Sequence, residues 1–335
     1  MTDIYSIAQK MVAPNKGILA ADESNPTATK RLASIQMEST PENRRQYREL
    51  FLGTKGIENA ISGVILYDET IRQTMSDGTP FVKHLESIGV LPGIKVDMGL
   101  KDMPGFPGEK ISVGLDTLDT RLQEYYAMGA RFAKWRSVIA IGPNIPTDAC
   151  IKANAMVMAL YAKFCQAANI VPMIEPEVLL DSDHNIQRAE EVTTRTLELC
   201  FDALREYRVD LKGLILKSSM VIPGNKCTDQ SSLEKIAEAT IRCLKKTVPA
   251  EVPGVVFLSG GQTAEQATNN LRAINQFAQK TGGAPWQLTF SFARALQGPP
   301  LAVWAGKPEN LPKAREVFTE RLIANSKARM GRPVA

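Results

Sequence analysis

The feature that most constrains the fold of this 335-residue chain is a short apolar run that recurs eight times, with an amphipathic segment of helical spacing after most runs. An apolar run that ends in polar residues or glycine is typical of a parallel strand covered on both faces. Successive runs begin roughly 25 to 45 residues apart, which leaves room for a loop, a helix and a second loop. The runs are GILAADE (17–23), GVILYDE (63–69), GIKVD (93–97), ARFAKWR (130–136), IVPMIEPE (170–177), GLILKSS (213–219), GVVFLSGG (254–261) and WQLTFSFARAL (286–296).

Helix-start signals stand between these runs. Thr40-Pro41-Glu42 predicts an N-cap followed by proline at the first helical position. Ser231 with Glu234, and Thr263 with Gln266, have the spacing of capping boxes.

Eight strand–helix units without a linker predict an α/β protein with a single (β/α)8 (TIM) barrel domain over residues 1–335. We expect one helix before the first strand and a C-terminal helix at about 307–330. A doubly wound open sheet also alternates strand and helix and is the alternative. Its dinucleotide-binding form is disfavoured, because no GxGxxG follows the first run.

Charge and hydropathy argue against several classes of partner. The 40 Lys and Arg residues and 36 Asp and Glu residues are spread along the chain without a block of like charge, which disfavours binding to nucleic acid or to a membrane surface. No apolar run approaches the roughly 18 residues of a membrane span. The N-terminal stretch lacks the pattern of a signal or transit peptide, so a cytoplasmic protein is expected.

Cysteine and histidine usage bears on redox state and metals. The five cysteines are widely spaced and form no CxxC pair, which is typical of buried free thiols in a reducing compartment. His84 and His184 are the only histidines, too few for a His-rich catalytic metal site. We therefore expect no metal and no cofactor.

Polar residues stand at the carboxyl ends of the predicted strands, where (β/α)8 barrels place their catalytic groups. One such residue has an equally simple explanation as a solvated rim residue. Together they predict a single barrel mouth at which lysines and carboxylates meet. The expected members are Lys95, Lys134, Lys217, Asp22, Glu175 and Glu177.

Several lysines beside carboxylates suit Schiff-base chemistry. A neutral lysine amine attacks a ketone, water leaves, and the protonated imine draws electrons from a neighbouring bond. Nearby cations favour the neutral amine, and carboxylates can carry the proton transfers. Lys217, at the end of GLIL, is the candidate nucleophile; a structural strand-end lysine is the alternative.

The last two runs suggest an anion site. Ser259, Gly260 and Gly261 precede a helix that begins near Thr263, and backbone N–H groups at such a turn can hold a phosphate. Arg294 follows the eighth run and can pair with phosphate oxygens. A plain tight turn is the alternative. Near the first run, residues at helical spacing could hold a second phosphate or form an exposed basic turn; they are Thr27, Lys30 and Arg31.

Eight motifs together resemble those of class I fructose-bisphosphate aldolases: GILAADES, GVILYDET, GIKVD, FAKWR, VPMIEPE, LILKSSMVIPG, FLSGGQ and LTFSFARALQ. The resemblance runs in order from about Met11 to Ala324. It implies a (β/α)8 barrel that cleaves fructose 1,6-bisphosphate to dihydroxyacetone phosphate and glyceraldehyde 3-phosphate in glycolysis and gluconeogenesis. It also implies a lysine Schiff base without a metal, and commonly a homotetramer.

The resemblance assigns roles by motif. Lys217 would be the nucleophile, Asp22 the base for the C4 hydroxyl, and Glu175 the acid–base group of carbinolamine dehydration. Glu177 would support Glu175 and orient Lys217, and Lys134 would stabilise charge beside the Schiff base. The substrate-binding residues would be Lys95, Arg136, Ser259, Gly260, Ser291, Ala293 and Arg294, with Ser24, Thr27, Lys30 and Arg31 toward the second phosphate.

Departures from the family pattern fall next to these residues. Pro26 stiffens the loop where the usual sequence is small, and Ala293 stands where many members have glycine. Ser218-Ser219 replaces the usual Pro-Asn, and the longer tail that ends in tyrosine in animal members is expected to be absent. Two other functions remain open: a Schiff-base lyase that prefers another phosphosugar such as fructose 1-phosphate, and a non-catalytic binding protein on this fold.

Overall fold

Eight parallel strands close into one barrel in the computed structural model, which describes residues 3–333. Each strand pairs with its neighbours in sequence, and the last pairs with the first, where Ile18 lies opposite Ser291. This closure confirms the predicted (β/α)8 barrel and excludes the open sheet. The strands are β1 Gly17–Ala20, β2 Ile61–Leu66, β3 Leu91–Lys95, β4 Phe132–Ile139, β5 Val171–Val178, β6 Ile215–Ser218, β7 Gly254–Phe257 and β8 Gln287–Phe292.

Helices surround the barrel and cover its N-terminal end. They are α1 Ile4–Met11, α2 Asn25–Ala33, α3 Pro41–Leu52, α4 Asp68–Ile71, α5 Phe81–Ser87, α6 Leu118–Met128, α7 Asp148–Ala167, α8 Ile186–Glu206, α9 Leu233–Thr247, α10 Ala264–Lys280, α11 Arg294–Trp304 and α12 Leu311–Arg329. Short 3-10 turns lie at Ile57–Asn59, Leu211–Gly213 and Pro308–Asn310.

The lower half of the barrel interior is apolar. Its side chains form one buried cluster with α1: Ile18, Ala20, Ile65, Phe132, Met173, Ile215 and Val256 pack with Ile7, Ala8, Met11 and Val12. The Phe132 ring fills the space beside Gly93, where an added Cβ would lie 2.2 Å from the ring. This apolar layer separates the barrel mouth from the N-terminal end.

A two-stranded antiparallel hairpin, Leu100–Asp102 with Lys110–Ser112, interrupts the strand–helix alternation between β3 and α6. The sequence pattern did not predict it, because each strand is only three residues long and mostly exposed or half-buried. The hairpin joins the barrel wall through Ser112, whose hydroxyl donates to the Arg136 carbonyl at 2.7 Å.

Two of the three predicted N-terminal caps are confirmed. The Thr40 hydroxyl accepts from the N–H of Asn43, and Thr263 with Gln266 forms a complete capping box. The predicted box at Ser231 was wrong by one residue: Ser232 caps α9, while Ser231 takes a positive φ of 56° outside the helix.

The C-terminal helix α12 is tied to the loop before β1 by Arg329. This buried guanidinium donates to the backbone carbonyls of Val12, Ala13 and Lys16, and at 3.0 Å to the Gln287 side chain. One side chain therefore joins the last helix, the first connecting loop and the start of β8.

Among residues 3–333, no helix combines the length and the apolar character that a bilayer crossing requires.

Candidate active site

Four charged side chains form a chain of ion pairs inside the upper half of the barrel. Nζ of Lys217 lies 2.9 Å from Oε1 of Glu175. Nζ of Lys134 lies 3.2 Å from Oε2 of the same carboxylate and 2.7 Å from Oδ2 of Asp22. The two lysines and Glu175 are each under 5% exposed, so water screens these charges little.

Strand geometry explains why these four residues meet. Side chains two residues apart on a strand point to the same face. Asp22 follows Ala20 by two positions, and Lys134, Glu175 and Lys217 stand in the same relation to Phe132, Met173 and Ile215. The residues two positions earlier fill the apolar interior of the barrel. The four charged residues therefore face the barrel axis one layer nearer the mouth.

Opposite charges offset the effect of burial on the pKa values of Asp22, Glu175 and Lys134. Burial on its own would raise the pKa of Asp22, but the charges of Lys134 and Lys217 outweigh it and hold that pKa well below its usual range. The pKa of Glu175 is lowered for the same reasons. Burial opposes the charge on Lys134, yet Asp22 and Glu175 raise its pKa above the ordinary value.

A second layer of ion pairs lies above the first. Arg136 binds Glu177 through Nε, and Lys95 lies 2.7 Å from Oδ1 of Asp97. The second carboxylate oxygen of Asp97 accepts from the backbone N–H of Arg136 at 3.2 Å. Glu177 thus pairs with Arg136, whereas Glu175 is the carboxylate that meets Lys217.

Next to Lys217, hydrogen bonds from the Ser219 side chain take the place of backbone pairing between β5 and β6. Backbone pairing between β5 and β6 includes Met173 with Ile215 and Ile174 with Leu216. Beyond it, the Ser219 hydroxyl donates to the Val178 carbonyl at 3.0 Å and accepts from the Val178 N–H at 3.2 Å. The serine therefore fixes the distance between the two strands at the level of Lys217 and Glu177.

A buried support behind Asp22 was not predicted. Arg48 of α3 forms an ion pair with Glu23 and also donates to the Glu23 carbonyl at 2.7 Å. Tyr47 donates to the same carboxylate at 3.0 Å, and its hydroxyl lies 3.4 Å from Oε1 of Gln297. The signal in the sequence was a tyrosine and an arginine in line with the apolar face of α3.

The predicted phosphate-binding residues meet at the ends of β7 and β8. A Cβ added at Gly260 would lie 2.9 Å from Oε1 of Glu177 and 4.0 Å from Nη2 of Arg294, so this loop approaches both side chains closely. Ser291 is buried on β8, and its hydroxyl has no partner among the described residues. Ser259 is buried beside Gly260.

The backbone at Ala293, where many family members have glycine, is open to an L-residue. It precedes α11 with φ −102°, outside the left-handed region that would require glycine. The position therefore does not require glycine, and Ala293 is the N-cap of the helix whose first residue is Arg294.

The residues predicted for the second phosphate divide between two cavities. Ser24 and Thr27 line a cleft of about 730 Å³ together with Lys95 and Arg136. Arg31 lines a smaller cavity of about 160 Å³ with Arg294. Lys30 is exposed on α2 and lines neither.

Within residues 3–333, no group of three or more His, Cys, Asp or Glu side chains is arranged to hold a metal ion. Of the five cysteines, Cys150, Cys165, Cys200 and Cys243 are buried free thiols, and Cys227 is half-buried.

Known proteins match the chain over nearly its whole length. The family model for class I fructose-bisphosphate aldolase matches residues 3–334. A probable fructose-bisphosphate aldolase class 1 from Xanthomonas campestris is 52% identical over 97% of this chain and 96% of its own. Cytosolic fructose-bisphosphate aldolase 6 from Arabidopsis thaliana is 52% identical over 98% of this chain and 91% of its own. The solved aldolase of Plasmodium falciparum, in complex with TRAP and an inhibitor, superposes with a TM-score of 0.96 at 47% identity, over 98% and 94% of the two chains.

Proposed function

The chain belongs to the class I fructose-bisphosphate aldolases, metal-independent lyases of glycolysis, and we propose that Lys217 carries its reaction as the Schiff-base nucleophile. The substrate is fructose 1,6-bisphosphate, and the products are dihydroxyacetone phosphate and glyceraldehyde 3-phosphate. The observation that carries the proposal is the 2.9 Å contact between Lys217 and Glu175 inside a buried cluster.

Lys217 can become a neutral nucleophile while the total charge of this cluster stays the same. Two ammonium groups face two carboxylates, Asp22 and Glu175. Transfer of one proton from Lys217 to Glu175 leaves a neutral amine, a neutral carboxylic acid and the intact pair of Lys134 with Asp22. The amine can then attack the C2 ketone of the open-chain sugar.

Glu175 is then in position to complete imine formation. As a carboxylic acid it protonates the carbinolamine hydroxyl, which leaves as water, and the carboxylate returns beside the cationic imine. Lys134 remains charged through this step, because its ion pair with Asp22 keeps its pKa raised even while Glu175 is neutral. It therefore offsets the charge that develops on the departing oxygen.

Asp22 is the base that we propose for carbon–carbon cleavage. Lys134 and Lys217 keep it ionised although it is buried. It takes the proton of the C4 hydroxyl, the C3–C4 bond breaks, and its electrons move to the imine nitrogen as an enamine. Glyceraldehyde 3-phosphate leaves; protonation of the enamine at C3 and hydrolysis of the resulting imine release dihydroxyacetone phosphate and free Lys217.

Two groups of cationic and backbone donors would bind the substrate ends. The C1 phosphate would be held at the ends of β7 and β8, where Gly260 closely approaches Arg294; the proposed ligands there are Ser259, Gly260, Ser291, Ala293 and Arg294. The remaining contacts are proposed for Lys95, Arg136, Ser24 and Thr27, which line the large cleft. Arg31 would reach the substrate only from the Arg294 side, and Lys30 would act through charge at a distance.

Borohydride trapping tests the nucleophile. Wild-type protein is mixed with fructose 1,6-bisphosphate and borohydride in EDTA, and the peptides are mapped by mass. A reduced adduct on Lys217 is expected, and Lys217→Met should lose both adduct and turnover while its circular dichroism stays unchanged. Lys134→Met is the matched control, because it removes the other buried lysine and should still form an adduct on Lys217.

An adduct on any other lysine would refute the assignment, and so would turnover that persists in Lys217→Met. No adduct from folded wild-type protein would instead favour the non-catalytic binding protein. The ratio of kcat/KM for fructose 1,6-bisphosphate to that for fructose 1-phosphate decides between the two substrate preferences; a ratio below one would favour the monophosphate.

The chain is further proposed to act as a cytoplasmic homotetramer built from single-domain subunits of residues 1–335. The names of the plant relatives support the location. Exposed apolar side chains on α7, Met156 at 43% and Phe164 at 37%, are suitable for a subunit contact. Light scattering that gave the mass of one chain would overturn the tetramer.

A further inference from the structure

We propose that a cavity between α3, α11 and α12 is a binding site for a small monocarboxylate with an apolar body. The cavity holds about 340 Å³, within the range of small-molecule sites. It lies at the end of α11 beside the turn that leads to α12. Its polar lining includes Arg45, Gln46, Glu49, Ser76 and Arg315.

One guanidinium in this cavity has no carboxylate partner. The Arg315 guanidinium forms no ion pair within residues 3–333, and its only hydrogen bond there runs at 3.3 Å to the Glu49 carbonyl. Its Nε is buried without a partner. Burial lowers the pKa of Arg315, and the charge of Glu49 only partly opposes this. A bound carboxylate would supply the missing acceptors and the missing charge.

The other charged groups of the cavity already satisfy one another. Arg45 pairs with Glu42 and Glu49. The Glu49 carboxylate also accepts from the Ser76 hydroxyl at 2.6 Å and from its N–H at 3.0 Å. The site therefore has a single positive charge to offer, and a ligand with one negative charge matches it better than a phosphate dianion.

Apolar residues complete the lining of the cavity. Trp304 is almost wholly buried beneath the cavity, and Leu311 and Pro308 add apolar surface against which a ring or short alkyl chain can pack. Burial of such a group stabilises the complex by the hydrophobic effect, while the guanidinium orients the carboxylate. The barrel-mouth cavities have other linings that include Arg31, Arg294, Lys95 and Arg136.

Isothermal titration calorimetry with 3-phenylpropionate tests the site, with 3-phenylpropan-1-ol as the neutral probe of similar shape. Arg315→Gln removes the charge, and Gln46→Glu places a second carboxylate in the cavity with little change of shape. Arg272→Gln is the matched control, because Arg272 on α10 also has a buried Nε without a partner but lies outside this lining. Arg294→Gln reports binding at the barrel mouth instead.

Wild-type protein should bind the acid with a Kd of about 1 mM and the alcohol at least about fivefold more weakly. Arg315→Gln and Gln46→Glu should each weaken acid binding by about five- to tenfold, and Arg272→Gln and Arg294→Gln should change it by less than about twofold. Unchanged aldolase kcat/KM in Arg315→Gln shows that this variant is folded.

Three results would overturn the site: no heat with wild-type protein, equal binding by Arg315→Gln, or equal binding of acid and alcohol. Loss of binding only in Arg294→Gln would also overturn it, because it would move the ligand to the barrel mouth. If Arg315→Gln does not fold, Gln46→Glu decides alone.

Discussion

Removal of the Arg48 guanidinium should destabilise the whole barrel and slow catalysis, although Arg48 itself makes no contact with the four-residue ion-pair cluster. Its side chain is 3% exposed, and that of its partner Glu23 is 5% exposed. Arg48→Met keeps most of the side-chain length and leaves Glu23 as a buried carboxylate without its cation. Breaking a buried pair in this way costs about 3–5 kcal/mol.

The expected change in Tm is this free energy divided by the entropy of unfolding, which grows with chain length. At about 2.1 cal/mol/K per residue, a chain of 335 residues has an unfolding entropy of about 0.7 kcal/mol/K. The expected fall in Tm is therefore about 4–7 °C. Activity should fall as well, because Glu23 is next to Asp22 and its own carbonyl loses the 2.7 Å bond from Arg48.

Differential scanning calorimetry and urea unfolding measure the loss, with two comparison variants. Arg242→Met removes an arginine that pairs with two carboxylates, Glu190 and Glu238, but is 54% exposed. It should cost no more than about 1 kcal/mol. The double variant Arg48→Met with Glu23→Gln removes both charges and should regain most of the lost stability. Equal losses for Arg48→Met and Arg242→Met, or no recovery in the double variant, would refute the reasoning.

Three further predictions concern residues outside this pair. Ser219→Ala removes both bonds to Val178 and should lower kcat by about 5- to 50-fold with little change in KM, whereas Ser218→Ala should change kcat by less than about twofold; equal effects would deny Ser219 a positioning role. Ala305→Gly should raise the free energy of unfolding by about 1 kcal/mol, because Ala305 has a left-handed φ of 49° at the end of α11, and urea unfolding that showed a loss would contradict this. Thiol titration with DTNB at about pH 8 should find one fast group, Cys227, because burial raises the pKa of Cys150 to about 11 and of Cys200 to about 12; several fast thiols would show that the core opens readily.

The barrel could be predicted because its signal repeats. Each apolar run had to be buried on two faces, and eight such runs at similar spacing leave few architectures. The 100–112 hairpin could not be predicted, since three-residue exposed strands have no apolar periodicity. The misplaced cap at Ser231 shows a second limit: two consecutive serines offer equal capping chemistry, and only the path of the loop selects Ser232.

For the site, period-two alternation was enough to place Lys134, Glu175 and Lys217 on one face. It could not decide which carboxylate meets which lysine, because that depends on the stagger between β4, β5 and β6. Arg48 was missed for a related reason: an arginine on an amphipathic helix is ordinarily exposed, and its burial depends on Glu23, 25 residues earlier. Family resemblance supplied the roles, and these stay predictions until the trapping experiment is done.

The pairing of β1 with β8, together with the Arg329 contacts, has a consequence for biosynthesis. A ribosome delivers residues 17–20 early and residues 287–292 near the end, so one edge of β1 waits unpaired for most of translation. Exposed strand edges recruit other strands, including those of neighbouring nascent chains. The loop at residues 12–16 waits longer still for its bonds from Arg329, which emerges after β8. This enzyme should therefore depend on chaperones during its synthesis, although every strand of the folded barrel is paired on both edges.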